Sequence, residues 1–194
     1  MHITAASERF GAPLAPDGLR LCQELVNSIP FAALAEPDLL GDAEVAQGWL
    51  GPLAAQWSAL HRVSAPVLEV TGADLPQLRA LRSRLRDLLS AGGCGESTGL
   101  RAPVTVTADR HGVHVSPRGR GASWVKSAVA QELVLASEHG ELRRLKLCRN
   151  GACTVGFYDR SKNNSRIWHN LARCGTPMHV RAYRDRLRSS PAPE

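Results

Sequence analysis

Four residues near the C-terminal end constrain this chain most: Cys148 and Cys153, then His169 and Cys174, two pairs with the same interval. Two thiolates so spaced can meet one ion if the chain between them turns sharply, and Asn150-Gly151 supplies that turn. On an α-helix, residues five apart do not face one another. The second pair is therefore expected to straddle a helix end or turn, with Gly175 letting the backbone reverse. Two pairs on separate turns close a tetrahedron, which predicts one structural Zn2+ in a Cys3His site. With all four positions filled there is no place for a catalytic water. His179, five positions beyond Cys174, is the alternative fourth ligand.

The remaining cysteines agree with metal rather than disulfides. Five is an odd number, and Met1 to Arg9 has neither a basic start nor an apolar stretch to direct export. No apolar run approaches the ~20 residues of a membrane span. A cytoplasmic protein with no membrane partner is expected. Cys22, on an apolar helical face, reads as a small buried hydrophobe. Cys94 sits among glycines and reads as exposed and oxidisable, which would permit redox sensing.

Charge divides the chain at the same place as the cysteines. Residues 1–140 carry 12 Lys and Arg against 14 Asp and Glu, a net −2, while residues 141–194 carry 12 against 4, a net +8. A near-neutral body with a basic end points to a polyanionic partner for that end.

The pattern before residue 141 is mainly helical. Residues 1–17, rich in Ala, Pro and Gly, read as a loose lead-in, and 18–140 as one helical domain. Leu19, Leu21, Cys22, Leu25 and Val26 share a helical face, ended by Asn27-Ser28-Ile29-Pro30. Asp42 caps a helix to about Leu50, Gly51-Pro52 breaks it, and another stretch follows from Leu53 to Val63. Asp74 is expected to cap a helix to Leu89 whose Arg79, Arg82, Arg84 and Arg86 mostly face water, before a glycine-rich loop at 91–95. A β-hairpin pairs Val104–Thr107 with Val113–Val115, and a last helix covers about Ala122 to His139. Asn27 and Trp49 are candidates for a ligand pocket; their plainer roles are helix-end cap and core.

Residues 141–190 read as a small finger and 191–194 as a tail. Phe157 and Trp168 supply its minute core, and a helix from Pro177 to Leu187 buries Val180, Tyr183 and Leu187. Arg160, Lys162, Arg166 and Arg173 around the site, and Arg181, Arg184 and Arg188 on the helix, are the candidate DNA contacts. A module this small buries too little to fold alone, so folding and metal binding should be coupled. The fold expected is mainly α with a small β-hairpin: a helical N-terminal domain followed by a treble-clef- or ribbon-like zinc module.

These residues resemble a known family. Cys148-x4-Cys153, Phe157, the run from Asp159 to Arg166, Trp168, and Cys174-Gly175 before a basic helix are similar to the CGNR-type zinc finger of bacterial proteins. Leu21 to Ser28 and Asp42 to Leu50 resemble its usual N-terminal partner, the ABATE domain of stress-induced transcription regulators. The chain departs from the pattern twice. His169 stands where relatives carry cysteine, and the namesake Cys-Gly-Asn-Arg is Cys174-Gly175-Thr176-Pro177. The resemblance implies a DNA-binding regulator whose body senses a small-molecule effector or dimerises. A zinc-stabilised protein-interaction module is the alternative. An enzyme is not expected, because His61, His111 and His114 have no nucleophile or carboxylate at motif spacing.

Overall fold

The computed structural model describes residues 5–30, 37–90 and 99–189. The loop at 91–95 with Cys94, and the tail, lie outside them. Five helices and two antiparallel hairpins follow in the order α1 (Leu19–Val26), α2 (Ala43–Leu60), α3 (Leu75–Ser90), β1 (Val104–Asp109), β2 (Gly112–Pro117), α4 (Gly121–Glu138), β3 (Leu145–Leu147), β4 (Gly156–Tyr158) and α5 (Thr176–Ser189). The architecture is the mainly helical one expected from the sequence, with a second short hairpin in the metal module.

Asp42 caps α2 as its spacing predicts, its carboxylate accepting from Glu44 N at 2.8 Å and Val45 N at 3.1 Å. The helix does not stop at Gly51-Pro52 but runs through Pro52 as one element. An internal proline costs about 3 kcal/mol. Ala46, Trp49, Leu50, Leu53, Ala54 and Trp57 form one buried stripe across it. Burying each large side chain there contributes about 1.5–3 kcal/mol, more than enough to offset the break.

The arginines of α3 are a second correction. Arg79 donates to Leu40 O at 2.7 Å, and Arg82 grips the Asp38 carboxylate at 2.6 and 2.9 Å. Arg86 reaches Val26 O and, at 2.8 Å, Thr154 O in the metal module. Asp74, expected as the cap of α3, turns its carboxylate elsewhere: one oxygen accepts from Thr71 N and Thr71 Oγ1, the other from Ala122 N at the start of α4. The β1–β2 hairpin pairs Val104 with Pro117 through to Asp109 with Gly112, leaving Arg110-His111 as the turn. Val106 and Val113 on it are exposed.

Residues 5–17, expected to be loose, form a strap packed against the body. Ala6, Phe10, Ala12 and Ala15 are buried, and Arg9 donates to Asn27 O and Ile29 O. Tyr158 N of β4 donates to Pro13 O at 3.1 Å. One apolar cluster spans α1 to α4 and takes in Leu145 and Tyr158 of the second hairpin. A smaller one gathers Phe10, Ala12, Val155 and Phe157 around the three C-terminal cysteines. The basic end is thus joined to the body by shared core.

Candidate metal centre

The metal module hangs on one buried amide. Asn27, at the end of α1, accepts from Gly156 N at 2.7 Å and donates to Gly156 O at 2.8 Å, as a neighbouring strand would. It also donates to Ser7 Oγ at 2.9 Å, so strap, body and β4 meet at one side chain. Position 156 has to be glycine for this approach, because a Cβ there would sit 2.7 Å from Val26 Cγ1. Asn27 is therefore a clasp, not a wall of a ligand pocket. Trp49 is equally buried in the core, and its indole N–H has no hydrogen-bond partner among the described residues.

Beyond β3 the chain makes a tight knuckle. Cys153 N donates to Asn150 O at 2.8 Å and Ala152 N to the Asn150 side chain at 3.1 Å, so Asn150 builds the turn its sequence suggests. Cys148 N bonds Val155 O at 2.8 Å and fixes the first thiol beside the hairpin. Arg149 N bonds Ile167 O at 3.0 Å, which draws the segment carrying His169 alongside.

The second pair straddles a turn of unusual pitch. Leu171–Gly175 is a π-helical turn, capped by the Asn170 side chain accepting from Arg173 N at 2.9 Å, and leads directly into α5. That wider turn sets Cys174 opposite His169, where α-helical pitch would not. Gly175 does not reverse the chain as expected. It is needed for space, since a Cβ there would lie 2.8 Å from Trp168 Cδ1.

Cys148, Cys153, His169 and Cys174 are all buried, and their donor atoms lie within 4.8 Å of one another. His169 Nδ1 is 3.2 Å from Cys153 Sγ and 3.6 Å from Cys174 Sγ. Tetrahedral zinc with ordinary bond lengths would space sulfur and nitrogen roughly 3.6 Å apart. His179 stands apart, exposed on α5 with its ring against Trp168. Packed this closely, the thiols titrate against one another. A hydrogen bond from Cys153 pulls Cys148 down to about 3, the same bond and burial push Cys153 up, and burial pushes Cys174 up. A divalent cation at their centre would let all three be thiolates.

The loop from Asp159 to Arg166 supports this centre. Asp159 is fully buried and accepts from Lys146 Nζ at 2.7 Å, Ser161 N at 2.8 Å and Arg166 N at 2.8 Å. Burial alone would raise its pKa, but those bonds outweigh it and hold the carboxyl well below the ordinary range. Arg166, expected at the DNA surface, turns inward instead. It donates to Trp168 O at 3.0 Å and His169 O at 2.7 Å, with its guanidinium 5.9 Å from the Phe157 ring centre. Sequence reasoning missed Lys146 and Asp159 as a pair because the twelve positions between them carry no periodicity to join them.

The other candidate contacts face water. Lys162 and Arg173 are exposed, and Arg160 reaches back to Leu14 O at 3.0 Å. Residues 181–188 are exposed throughout. Val180, Tyr183 and Leu187 were expected to pack inward, yet α5 projects past the π-turn and leaves Tyr183 56% and Leu187 59% exposed.

A knuckle between two short strands is followed by a ligand pair at the π-turn that leads into α5. Residues 144–187 match the CGNR zinc finger family. The match covers under a quarter of the chain and falls on the metal module. No curated protein matches the chain. Donor set and family match together fit one structural zinc ion. Among the described residues no helix is long and apolar enough to cross a membrane.

Proposed function

We propose that this chain is a cytoplasmic, DNA-binding transcription regulator of bacterial type, in which the zinc site holds α5 so that its arginines meet the phosphate backbone. The observation that carries this reading is the state of α5. Arg181, Arg184 and Arg188 are exposed and have no hydrogen bond or ion pair among the described residues. They stand on the helix that follows Cys174, in the segment 141–194 with net charge +8. Arg173 and Lys162 of the same module are exposed as well. The helical body is read as an ABATE-like regulatory domain that senses an effector or dimerises. The metal is structural in this reading, and the protein is not an enzyme.

Exposed Val180, Tyr183 and Leu187 favour the second reading, a zinc-stabilised module whose helix docks on another protein. Titration of a duplex with the zinc-loaded protein at several salt concentrations separates the two. Each phosphate contact contributes about −0.9 to the slope of log affinity against log salt, so the regulator should give a slope near −3 or steeper. Zinc-loaded protein without duplex affinity would establish the interaction module instead.

A further inference from the structure

The segment entering α1 and the ends of α2 and α4 line a cavity of about 300 Å³. Asp17, Gly18, Leu60, His61, Glu132 and His139 are among its lining residues. Glu132 is only 4% exposed, an expensive place for a carboxylate. Its two neighbours converge on one oxygen: Trp57 Nε1 donates to Oε1 at 2.7 Å, and His61 Nε2 lies 2.5 Å from the same atom. Oε2 has no partner among the described residues. His61 is held in turn by stacking on Trp57, ring centres 4.2 Å apart, and Trp124 meets Trp57 edge-on at 5.6 Å. The carboxylate is thus pinned with one acceptor left over.

The rest of the lining narrows what that acceptor meets. No Lys or Arg lines the cavity; Asp17, Glu132 and Glu141 face only His61 and His139 among charged or titratable groups. An anion finds no fixed positive charge there. Nor is the site built for a metal, because the Cys/His cluster is the one set of donors gathered closely enough among the described residues. Leu19, Leu60 and Leu135 supply an apolar half. Gly18 lets the backbone lie against the carboxylate, since a Cβ there would come within 2.3 Å of the Glu132 carboxyl group. We propose that this cavity binds a small organic cation, a primary amine carrying an apolar group, whose ammonium donates to Glu132 Oε2.

Burial pushes the Glu132 pKa up, opposed by His61 and Trp57, and an arriving ammonium would restore to the carboxylate the stabilisation that it loses with its hydration. The cavity also touches the metal module: Glu141 on its wall accepts a hydrogen bond from the Tyr158 hydroxyl of β4. The site deepens, and rests on, the reading of the body as an effector domain. Its binding test needs no DNA, so a protein without duplex affinity would end the regulator reading and leave this result intact.

Benzylammonium, benzyl alcohol and benzoate, titrated by calorimetry into the full zinc-loaded chain, share one shape and differ in charge. Benzylammonium should bind roughly tenfold or more tighter than the other two, the increment of one charged hydrogen bond. Glu132→Gln keeps an acceptor for Trp57 and should lose that preference. Leu60→Arg, on an exposed rim position, sets a guanidinium in competition and should weaken the amine by a similar factor without disturbing the fold. Equal binding of the amine and the alcohol, unchanged amine affinity in both variants, or no binding of the amine at millimolar concentration would each overturn the proposal.

Discussion

Along α5, Arg181, Arg184 and Arg188 stand in solvent, whereas Arg79, Arg82, Arg86, Arg144 and Arg166 turn inward onto carbonyl oxygens and a carboxylate. Both sets are the same residue type in the same small protein, and their surroundings give them opposite work. The inward set closes gaps between elements: Arg86 joins α1 and α3 to the knuckle, Arg144 holds Asp159 O and Ser161 O, and Arg166 holds the backbone of a metal ligand. Its five-donor fork suits carbonyls that helix ends and loops leave unmatched. The outward set has charge and reach with nothing inside the protein to use them.

The largest expected effect tests whether the inward set can hold the module by itself. Structural zinc contributes on the order of 10 kcal/mol in zinc-finger peptides, far more than a few arginine bonds. Chelation, or Cys153→Ser, should therefore unfold the module despite Arg86 and Arg166. Phe10 and Ala12 pack against the thiols, so the N-terminal strap should come loose with it. Limited proteolysis should then cut near residues 5–17 as well as 148–175; protection of the strap after metal removal would contradict the shared core.

Next in size is Asp159→Asn, which leaves Lys146 without its buried counter-charge and should cost about 3–5 kcal/mol. The Asp159 carboxyl is held below its ordinary range in the folded state. Its contribution is therefore complete above the unfolded value of about 4 and is lost as pH falls from there toward the lower folded value. Urea titrations at neutral pH and near pH 3 should show the gap between wild type and variant shrinking in acid. A gap that widens in acid would have the sign wrong.

Asn27→Ala should follow at about 1–3 kcal/mol, because it strands the buried N–H of Gly156, while the Gly156 carbonyl still accepts from the Gln23 amide at 3.3 Å. Body and module share that clasp, so fluorescence of Trp57 and amide signals of the knuckle should melt together. Separate melting in the variant, with one transition in wild type, is the sharper form of the same result.

Much of this was legible beforehand, and the limits are physical. Ligand identity and the π-turn's position follow from spacing, because coordination geometry demands donors at fixed intervals. Helices α1, α3 and α4 follow from apolar period. What periodicity cannot show is which partner a polar side chain finds. Asn27 looked like a cap or a pocket residue, Arg166 like a phosphate contact, and His61 like an unpartnered histidine. Each is decided by a group far along the chain: Gly156, His169 and Glu132 in turn. The strap was missed for a related reason, since an Ala- and Pro-rich segment has no pattern of its own and takes its order from the surface it covers. The inward expectation for Val180, Tyr183 and Leu187 failed because helical spacing reports a face, not whether anything lies against it.

The most direct measurement sets the two kinds of arginine side by side: zinc content and duplex affinity of Arg181→Ala/Arg184→Ala/Arg188→Ala against Arg166→Ala. The outward triple variant should keep one zinc per chain and a stability within about 0.5 kcal/mol of wild type. It should lose duplex binding and flatten the salt slope by about 3 units. Arg166→Ala should instead lose stability and zinc occupancy, with any loss of binding following from that. A triple variant that binds the duplex with the affinity and salt slope of wild type would contradict the account.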